Sequence, residues 1–337
     1  MTTEHQSPAD QVFQLSNGMS AAAVVLAAAR LGLADAVTEE PFEAKQLATA
    51  VGADPDALAR LLRVLAAFGI FHQSAPGRYE HTDRSRAMRA DHSDRLLDKL
   101  LTGSEWGWTM WGKLADAVRT GECAFPAEYG VGFFDYLGQN PEDQARMYRG
   151  MTAWSEQTHP MIADALDLSG ARTVADMGGG KGALLRVLLE HNPHLSGVLF
   201  ESEATRRVMD DELGTGALAA RSTFVAGDFF REVPFTADVY LFKLTMHMYD
   251  DEQCVHILRN TAANARPGAR IVIADPLLVD PPTHAFTPVM DLHMLLVMGG
   301  RERTEDDYAR LLTSAGLEFT GITPTASVLH LAEATLP

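Results

Sequence analysis

A lysine and a histidine follow a strongly apolar run in the segment YLFKLTMHMYDDEQC, residues 240–254. Lys243 interrupts the run and His247 comes four residues later. Because the ordinary pKa of histidine is about 6.5, its ring can take a proton at neutral pH, which makes His247 a candidate general base. The structural alternative is a histidine at the start of a helix that is satisfied by hydrogen bonding beside Asp250.

Three consecutive glycines interrupt the segment VADMGGGKG, residues 174–182. A predicted strand ends at Asp176, and a predicted helix follows the glycines. Glycine lacks a Cβ, so a ligand can come close to the backbone amide groups. The segment therefore predicts the nucleotide-binding turn of a doubly wound sheet, with Asp176, Gly178 and Gly180 as cofactor-binding residues. A tight turn without a ligand is the alternative.

The class of nucleotide stays open on this loop alone. The loop lacks the GK[ST] ending that cradles phosphates. Gly178 and Gly180 match the first two glycines of the pattern G-x-G-x-x-G, but Ala183 stands at the third position. Only the looser form of the dinucleotide pattern admits alanine there.

Acidic residues follow the next two predicted strands. Glu201 ends VLFE, at the spacing of about 20 residues from the glycine loop where a carboxylate binds ribose hydroxyls. Asp228 and Phe229 follow the third strand in VAGDFF, where they could contact an adenine amine and ring face. Because ligands bind outside the carboxyl ends of strands, these residues are expected to share one site with Lys243 and Asp275. A solvated charge at a strand end is the alternative for each carboxylate.

Three patterns along the chain predict its organisation. Residues 8–102 are mostly helical, with two helices and two strands around APGR that are typical of a winged helix. Residues 103–165 are rich in aromatic residues and methionine, which predicts a helical connecting section that lines a pocket or packs as core. Strand-like and helical runs alternate in residues 166–337, which predicts a parallel sheet covered on both faces. The expected fold class is α/β, a doubly wound, mostly parallel sheet with a helical winged-helix N-terminal domain.

The third region predicts individual elements. Its strands are RTVADM, GVLFE, STFVAGD, DVYLFK and RIVIAD, and LEFTGITP and SVLHLAEA form a closing strand pair. Its helices include GALLRVLLEHN, one through EATRRVMDDE, and DEQCVHILRNTAANA.

The charge balance argues against nucleic-acid and anionic-membrane partners. The chain has 337 residues, a formal net charge of −17 and a pI near 5.1. The winged helix raises a DNA-binding hypothesis, but its second helix carries Asp54 and Asp56 beside Arg60 and Arg63 and shows no basic stripe. We therefore interpret this region as a module for dimerisation or packing.

Other features indicate a cytoplasmic protein. The two cysteines are too few for a disulfide framework or a zinc ligand set, and the first residues lack the basic region of a secretory signal. The apolar window MSAAAVVLAAARLGLADAV carries Arg30 and Asp35. We interpret it as a buried or dimer-forming helix rather than a membrane span.

These segments together resemble the S-adenosylmethionine-dependent O-methyltransferases of the plant caffeate type, in their bacterial natural-product branch. The resemblance covers nearly the whole chain and includes DMGGGKG, GDFF, LFK with a histidine four residues on, DDEQCVHILRN and PGARIVIAD. The segment MDLHMLLVMGGRERTEDDYARLL is its most specific part. The resemblance implies a Rossmann-like class I methyltransferase domain, a homodimer formed through residues 8–102, and a cytoplasmic enzyme of secondary metabolism such as antibiotic biosynthesis.

The resemblance also implies roles for the cofactor-binding residues. Gly178 would contact the amino-acid part of S-adenosylmethionine, and Glu201 would bind its ribose. Asp228 and Phe229 would flank its adenine, and Lys243 would help to seat it.

His247 would be the general base, supported by the carboxylates of Asp275 and Glu302. A carboxylate beside an imidazole stabilises its protonated form and raises its basicity. The family more often has glutamate at the position of Asp275, so the reach of this side chain is shorter here. The family also commonly reads His-Asp-Trp where this chain has His247-Met248-Tyr249, which bears on the orientation of His247 and on the substrate.

The methyl acceptor is expected to be a flat, apolar molecule with a hydroxyl, such as an aromatic or polyketide-like metabolite. Methylation of a carboxyl, an amine or a carbon stays open. The candidate acceptor-lining residues are Phe133, Met147, Met151, Trp154, Met290, Asp291 and Met294.

Two other functions stay open. His247 and His293 could bind iron with Asp291 or Asp275 and act on a keto acid or an enediol. Asp291 and His293 are two residues apart, however, so they would not share one face of a helix. Alternatively, the chain could bind S-adenosylmethionine only as a structural ligand or use it in a non-methylating reaction, an option raised by Met248 and Tyr249 in place of the Asp-Trp pair. The main interpretation needs no metal.

Overall fold

The computed structural model describes residues 7–103 and 105–337. The described chain forms two compact units. The first contains the described residues up to Trp106 together with Asn140–Trp154, and the second contains Gly107–Gln139 together with Ser155–Pro337. The section predicted as residues 103–165 thus contributes to both units.

The first unit contains the expected winged helix. The helix α3 (Ala44–Val51) ends at Gly52 in the left-handed conformation, and α4 (Pro55–Ala67) begins where the side chain of Asp54 accepts hydrogen bonds from two backbone amides. A short first strand, which the sequence did not indicate, joins a three-stranded antiparallel sheet. The other elements of this region are α1 (Pro8–Ser16), α2 (Gly18–Arg30), β1 (Phe42–Glu43), β2 (Phe71–Ala75), β3 (Arg78–His81), α5 (Asp83–Ala87) and α6 (Leu96–Leu101).

The apolar N-terminal stretch Pro8–Arg30 passes the length and composition test for a membrane span, the only described helical stretch to do so. Asn17 separates it into α1 and α2, and a capping box at Ser7 begins α1. Four large apolar side chains of this stretch are more than half exposed: Val12, Phe13, Leu15 and Met19.

The middle section is helical, as predicted. Its helices are α7 (Trp106–Gly112), α8 (Leu114–Thr120), α9 (Ala124–Tyr129), α10 (Phe133–Gln139) and α11 (Pro141–Ala165). The last of these continues from the first unit into the second, with Trp154 and Ser155 on either side of the division.

The second unit is built on a seven-stranded sheet in the order β6-β5-β4-β7-β8-β10-β9. The five strands from β4 to β8 are parallel, and β10 runs antiparallel to both β8 and β9. The predicted doubly wound, mostly parallel sheet and its closing strand pair are therefore confirmed. The strands are β4 (Thr173–Met177), β5 (Ser196–Glu201), β6 (Ser222–Ala226), β7 (Val239–Lys243), β8 (Arg270–Pro276), β9 (Glu318–Pro324) and β10 (Leu329–Thr335).

Helices cover both faces of this sheet because its central strands are apolar on both sides. In β7, Val239 and Leu241 pack into one core cluster while Tyr240 and Phe242 pack into the other. The α-helices are α12 (Ala183–His191), α13 (Asp211–Gly214), α14 (Asp251–Ala263), α15 (Phe286–Val297) and α16 (Glu305–Ser314). Three 3₁₀-helices span Glu203–Val208, Ala219–Arg221 and Met246–Met248.

The prediction of one helix through EATRRVMDDE is wrong. Residues Glu203–Val208 form a 3₁₀-helix, Met209 is extended, and Asp210 starts the separate short helix α13 by accepting a hydrogen bond from the Glu212 amide. An aspartate whose side chain caps a helix competes with a continuous helical backbone at that point. The chain therefore restarts at Asp210 instead of continuing.

The packing predicts a large cost for truncating the centre of the sheet. Leu241→Ala removes a fully buried side chain from β7, so we expect the free energy of unfolding to fall by about 2–5 kcal/mol. Urea unfolding followed by circular dichroism measures this loss. Val279→Ala, at a position that is 41% exposed, is the control and should change stability by less than about 0.5 kcal/mol. Equal effects of the two substitutions would contradict the assigned core.

Candidate active site

The predicted cofactor-binding residues lie at the carboxyl edge of the large sheet, where the strand order reverses. From β4 the chain continues outward to β5 and β6, then returns to place β7 on the other side of β4. This reversal leaves a crevice between the ends of β4 and β7, the usual ligand position in such sheets. Asp176 lies near the end of β4, and Lys243 is the last residue of β7.

The glycine loop after β4 has the backbone conformation that only glycine adopts freely. Gly178 has a φ of +72° and Gly180 a φ of +56°. An added Cβ at Gly178 would lie 3.4 Å from the Phe229 ring and 3.5 Å from the Thr245 hydroxyl. The structure thus brings Gly178 and Phe229 together, as the sequence predicted for two cofactor-binding residues.

Two ionisable groups lie at this edge of the sheet: Asp176, which is buried, and Lys243, which is half-buried. Asp176 Oδ2 is buried and has no hydrogen-bond partner among the described residues. Burial raises the pKa of Asp176 to about 7, against the opposing effect of the Lys243 charge. Burial also lowers the pKa of Lys243 to about 8, although Asp176 and Asp275 oppose this shift, and its Nζ donates to Ser155 Oγ at 2.6 Å. Ser155 thus contacts a predicted cofactor-binding residue, and no pattern in the sequence selects it.

The other two acidic positions also lie at this edge. Glu201 is the last residue of β5, and its carboxylate accepts from the Ser202 amide and, at 3.1 Å, from the Thr205 hydroxyl. Asp228 lies two residues beyond β6 and accepts from the Phe230 amide at 2.9 Å. Both carboxylates keep further acceptor capacity, because an ionised carboxylate has about four lone-pair sites.

His247 lies in the 3₁₀-helix after β7 and is almost fully buried. Its Nδ1 lies 2.8 Å from Oε1 of Glu302, whose side chain is also buried. Burial alone would lower the pKa of His247, but the Asp275 charge and the Glu302 hydrogen bond outweigh burial and raise it above 6.5. The histidine is therefore held by a carboxylate on one edge of its ring.

The two supporting carboxylates do different things, which the sequence left open. Asp275 Oδ2 accepts from the backbone amide of His247 at 3.1 Å and from the Tyr308 hydroxyl at 3.3 Å. Glu302 alone contacts the ring, and its own backbone amide donates to Asp291 Oδ1 at 2.8 Å. The reason is reach, since Asp275 sits in β8 and its side chain ends at the backbone of His247.

The segment after α15 packs directly onto the backbone of the 3₁₀-helix. The Arg301 amide donates to the His247 carbonyl at 2.9 Å. Gly300 makes this approach possible, because an added Cβ would lie 2.2 Å from the His247 oxygen and 2.4 Å from the Met248 carbonyl carbon. Backbone atoms at that distance cannot move aside cheaply. Gly300, Tyr308 and Arg303 support the site, and a single sequence gives no pattern that selects them.

The acceptor-lining candidates fall in two groups. In the second unit, Met290, Asp291 and Met294 lie on α15, and Phe133 is buried with its ring 5.2 Å from that of Phe125. In the first unit lie Met147, Met151 and Trp154, the last with Lys99 Nζ 5.9 Å above its ring. His293, also on α15, stacks on Trp111 with ring centroids 6.2 Å apart.

The iron-site alternative finds little support in this geometry. No group of three or more histidine, cysteine, aspartate or glutamate side chains in residues 7–103 and 105–337 is arranged to hold a metal ion. The Nδ1 of His247 is engaged by Glu302 instead.

Comparison with known proteins tests the resemblance. The protein-family model of the O-methyltransferase domain matches residues 111–318 of the chain. The family model of the O-methyltransferase dimerisation domain matches residues 13–91. The chain belongs to the O-methyltransferase family. The phenazine O-methyltransferase PhzM of Lysobacter antibioticus is 32% identical to it, over 96% of this chain and 95% of that protein. The 3-amino-4-hydroxybenzoate 4-O-methyltransferase of Streptomyces cremeus is 34% identical, over 97% and 90%.

Solved structures agree with this assignment. The crystal structure of LaPhzM superposes on this O-methyltransferase with a TM-score of 0.91 at 31% identity. The alignment covers 98% of this chain and 100% of the LaPhzM chain. That of NcsB1 from neocarzinostatin biosynthesis, in complex with S-adenosylmethionine and 2-hydroxy-5-methyl naphthoic acid, has a TM-score of 0.84 at 30% identity, covering 94% and 96%. The predicted fold, family and cofactor are thereby confirmed, and this chain is an S-adenosylmethionine-dependent O-methyltransferase with a dimerisation domain.

The site also fits the cofactor chemically. S-adenosylmethionine carries an ammonium group, two ribose hydroxyls and an adenine amine as hydrogen-bond donors. The crevice offers matching acceptors in the unpartnered Asp176 Oδ2 and in the carboxylates of Glu201 and Asp228. An acidic crevice also suits a positively charged sulfonium.

The tight backbone contact at Gly300 predicts a sensitive position. Gly300→Ala should reduce the methylation rate of this O-methyltransferase by at least about 10-fold, because the added Cβ would displace the backbone of His247, the predicted general base. Steady-state kinetics with the best available aromatic acceptor measures the loss. Gly138→Ala is the control, since an added Cβ there meets no described heavy atom within 4 Å. A Gly300→Ala enzyme as active as the Gly138→Ala enzyme would show that the contact does not position His247.

Proposed function

We propose that this enzyme transfers the methyl group of S-adenosylmethionine to a hydroxyl of an aromatic or polyketide-like secondary metabolite, with His247 as the general base. The observation that carries the proposal is the buried hydrogen bond between His247 Nδ1 and Glu302 Oε1. S-adenosylmethionine supplies an activated methyl group when bound. The residues of the chain must align the acceptor hydroxyl and remove its proton.

The proton-accepting atom of His247 follows from this hydrogen bond. An ionised carboxylate can only accept, so Nδ1 carries the hydrogen and Nε2 keeps the lone pair in the neutral ring. Nε2 would take the proton of the acceptor hydroxyl. A phenol has a pKa of about 10 and an ordinary histidine about 6.5, and the raised pKa of His247 narrows that difference. Asp275 and Glu302 would stabilise the imidazolium that forms.

The proposed cofactor contacts follow the donor and acceptor types of the crevice. Asp176 would accept from the ammonium group and Glu201 from the ribose hydroxyls, while Asp228 would accept from the adenine amine. The glycines of the loop let the cofactor come close to the backbone. An added Cβ at Gly180 would meet no described atom within 4 Å, and the Phe229 ring packs next to Gly178. Lys243, fixed by Ser155, would help to seat the amino-acid part.

Relatives support a flat aromatic acceptor with a hydroxyl. One relative is named for 3-amino-4-hydroxybenzoate and another for phenazine, and one solved structure contains 2-hydroxy-5-methyl naphthoic acid. We propose the same class of acceptor here. The residues of the second unit proposed to contact it are Phe133, Met290, Asp291 and Met294, while Met147, Met151 and Trp154 of the first unit stay predictions from the sequence.

Non-methylating chemistry is the second candidate, on a specific observation. The aclacinomycin 10-hydroxylase RdmB of Streptomyces purpurascens is 33% identical over 86% of this chain and 79% of that protein. The relatives of this chain therefore include a protein that is named as a hydroxylase. The retained histidine and its buried carboxylate favour methyl transfer in this chain.

We also propose that the enzyme is a cytoplasmic homodimer. The matched dimerisation domain and the exposed apolar side chains of α1 and α2 support dimer formation. The acidic surface and the reduced cysteines are consistent with a cytoplasmic biosynthetic enzyme.

Removing the base tests the proposal directly. His247→Ala should lower the rate of methyl transfer about 10²–10⁴-fold and leave the Kd for S-adenosylhomocysteine within about twofold of the wild-type value, because the imidazole acts on the acceptor. Mass spectrometry of a panel of hydroxynaphthoates, hydroxyphenazines and hydroxybenzoates gives the rate, and calorimetry gives the Kd. His191→Ala, at the far end of α12, is the control. A loss below about threefold would reject His247 as the base.

The Glu302 carboxylate should also set the pH dependence. His247 must be neutral to accept a proton, so the rate rises as the pH passes through its raised pKa. Glu302→Gln removes one cause of the raised pKa, and the acidic limb of kcat/KM should therefore move to lower pH while the plateau falls. Steady-state kinetics between pH 5 and 9 measures both changes. Glu305→Gln, an exposed neighbour on α16, should leave the profile unchanged, and a limb that stays in place in Glu302→Gln would contradict the account.

A further inference from the structure

Arg303 is a fully buried arginine next to the residue that holds the His247 ring. Its Nε and Nη2 donate to Asp251 Oδ1 at 2.9 and 2.7 Å. Its Nη1 donates to the Met246 carbonyl at 2.9 Å and to the Arg301 carbonyl at 3.4 Å, and Nη2 also donates to the Tyr249 carbonyl at 2.9 Å. A guanidinium has five N–H groups, and these five hydrogen bonds use them all.

Two of the three carbonyl acceptors, those of Met246 and Tyr249, lie on either side of His247 in the chain. Met246 comes immediately before the histidine, and Tyr249 closes the short 3₁₀-helix after it. The carbonyl of His247 itself accepts from the Arg301 amide at 2.9 Å. Three of the four carbonyls from Met246 to Tyr249 are thus fixed by residues 301–303, and the ring between them is fixed by Glu302.

The segment that carries Arg303 is itself anchored to the central sheet. The Arg303 carbonyl accepts from the Leu278 amide at 2.9 Å, and Leu277 and Arg303 form a parallel bridge. Both contacts lie just beyond β8, the strand that carries Asp275. The groups that hold the ring, the backbone amide and the flanking carbonyls of His247 are therefore all anchored at the end of β8.

We propose that Arg303 is a positioning residue for the general base, holding the 3₁₀-helix of His247 in the orientation that aims Nε2 at the acceptor. It acts through His247, because its side chain has no exposed surface and all its donors are used within the protein. A rigid, planar guanidinium suits this task better than an ammonium, since its five N–H groups reach three carbonyls and a carboxylate in a fixed geometry.

This inference rests on the proposed role of His247, so the test compares the same substitution in two backgrounds. Arg303→Met should lower the methylation rate about 10- to 100-fold in the wild-type enzyme, with the Kd for S-adenosylhomocysteine unchanged within about twofold. In the His247→Ala enzyme, the same substitution should cost less than about twofold, because the group it positions is gone. The acceptor is 1,4-dihydroxy-2-naphthoic acid or the hydroxynaphthoate, hydroxyphenazine or hydroxybenzoate that the wild-type enzyme methylates fastest.

Two further variants keep the comparison decisive. Arg303→Lys retains the buried charge but loses the planar set of five donors. It should lower the methylation rate about 10-fold when His247 is present and should have little effect in the His247→Ala enzyme. This variant replaces Arg303→Met if the Arg303→Met protein does not fold. Arg259→Met is the matched control, because Arg259 also donates to a backbone carbonyl, that of Ser314, away from His247. It should leave the rate within about twofold of wild type.

A second measurement does not depend on the acceptor. Hydrogen–deuterium exchange of the peptide that covers residues 244–250 should be at least about fivefold faster in Arg303→Met and unchanged in Arg259→Met. Equal losses of rate in both backgrounds, or unchanged exchange, would overturn the positioning role. If His247→Ala alone kept full activity, the base assignment would fail, and this outcome is distinct from a failure of the inference about Arg303.

Discussion

The hydrogen bond between His247 Nδ1 and Glu302 Oε1 joins two buried side chains, and the remainder of the site is arranged around it. An ionised carboxylate in a protein interior costs several kcal/mol unless it is paired and hydrogen-bonded. Two carboxylates are buried here around His247, with Asp275 hydrogen-bonded to its backbone amide and Glu302 to its ring. Burial accordingly raises the pKa of both, and the positive charge of a protonated His247 opposes the shift.

The buried charges around His247 balance when its ring holds a proton, because the imidazolium and the Arg303 guanidinium match the carboxylates of Asp275 and Glu302. Asp251, which pairs with Arg303, is 61% exposed, so solvent screens its charge. The neutral imidazole leaves one negative charge in excess, which attracts a proton. This imbalance is the physical origin of a base stronger than an ordinary histidine, and it depends on the sheet that holds β7 and β8 side by side.

Much of the fold could be predicted from the sequence because its signals are local. Alternating apolar strands and helices gave the parallel sheet, and the glycine loop with its flanking strand marked the crevice. The prediction of one helix through EATRRVMDDE was wrong because Asp210 caps a new helix there. The spacing of apolar residues does not show where such a cap interrupts a helix. The short strand β1 was missed because two residues carry no periodic signal.

The site could be predicted only in part. The strand-end residues could be proposed for one site because topology brings such ends together. Which carboxylate touches the His247 ring depends instead on the reach of side chains that are far apart in the chain. Asp275 reaches the backbone amide and Glu302 the ring. Arg303 and Gly300 act through backbone contacts, and neither residue type signals such a role in one sequence.

The tautomer and pKa of His247 test the central claim most directly. Nuclear magnetic resonance of the ¹⁵N-histidine-labelled enzyme, saturated with S-adenosylhomocysteine, reports both, with His247→Ala to assign the signals. The account predicts a neutral ring protonated at Nδ1, with Nε2 bearing the lone pair, and a pKa above 6.5. A ring protonated at Nε2, or a pKa below the ordinary value, would contradict it.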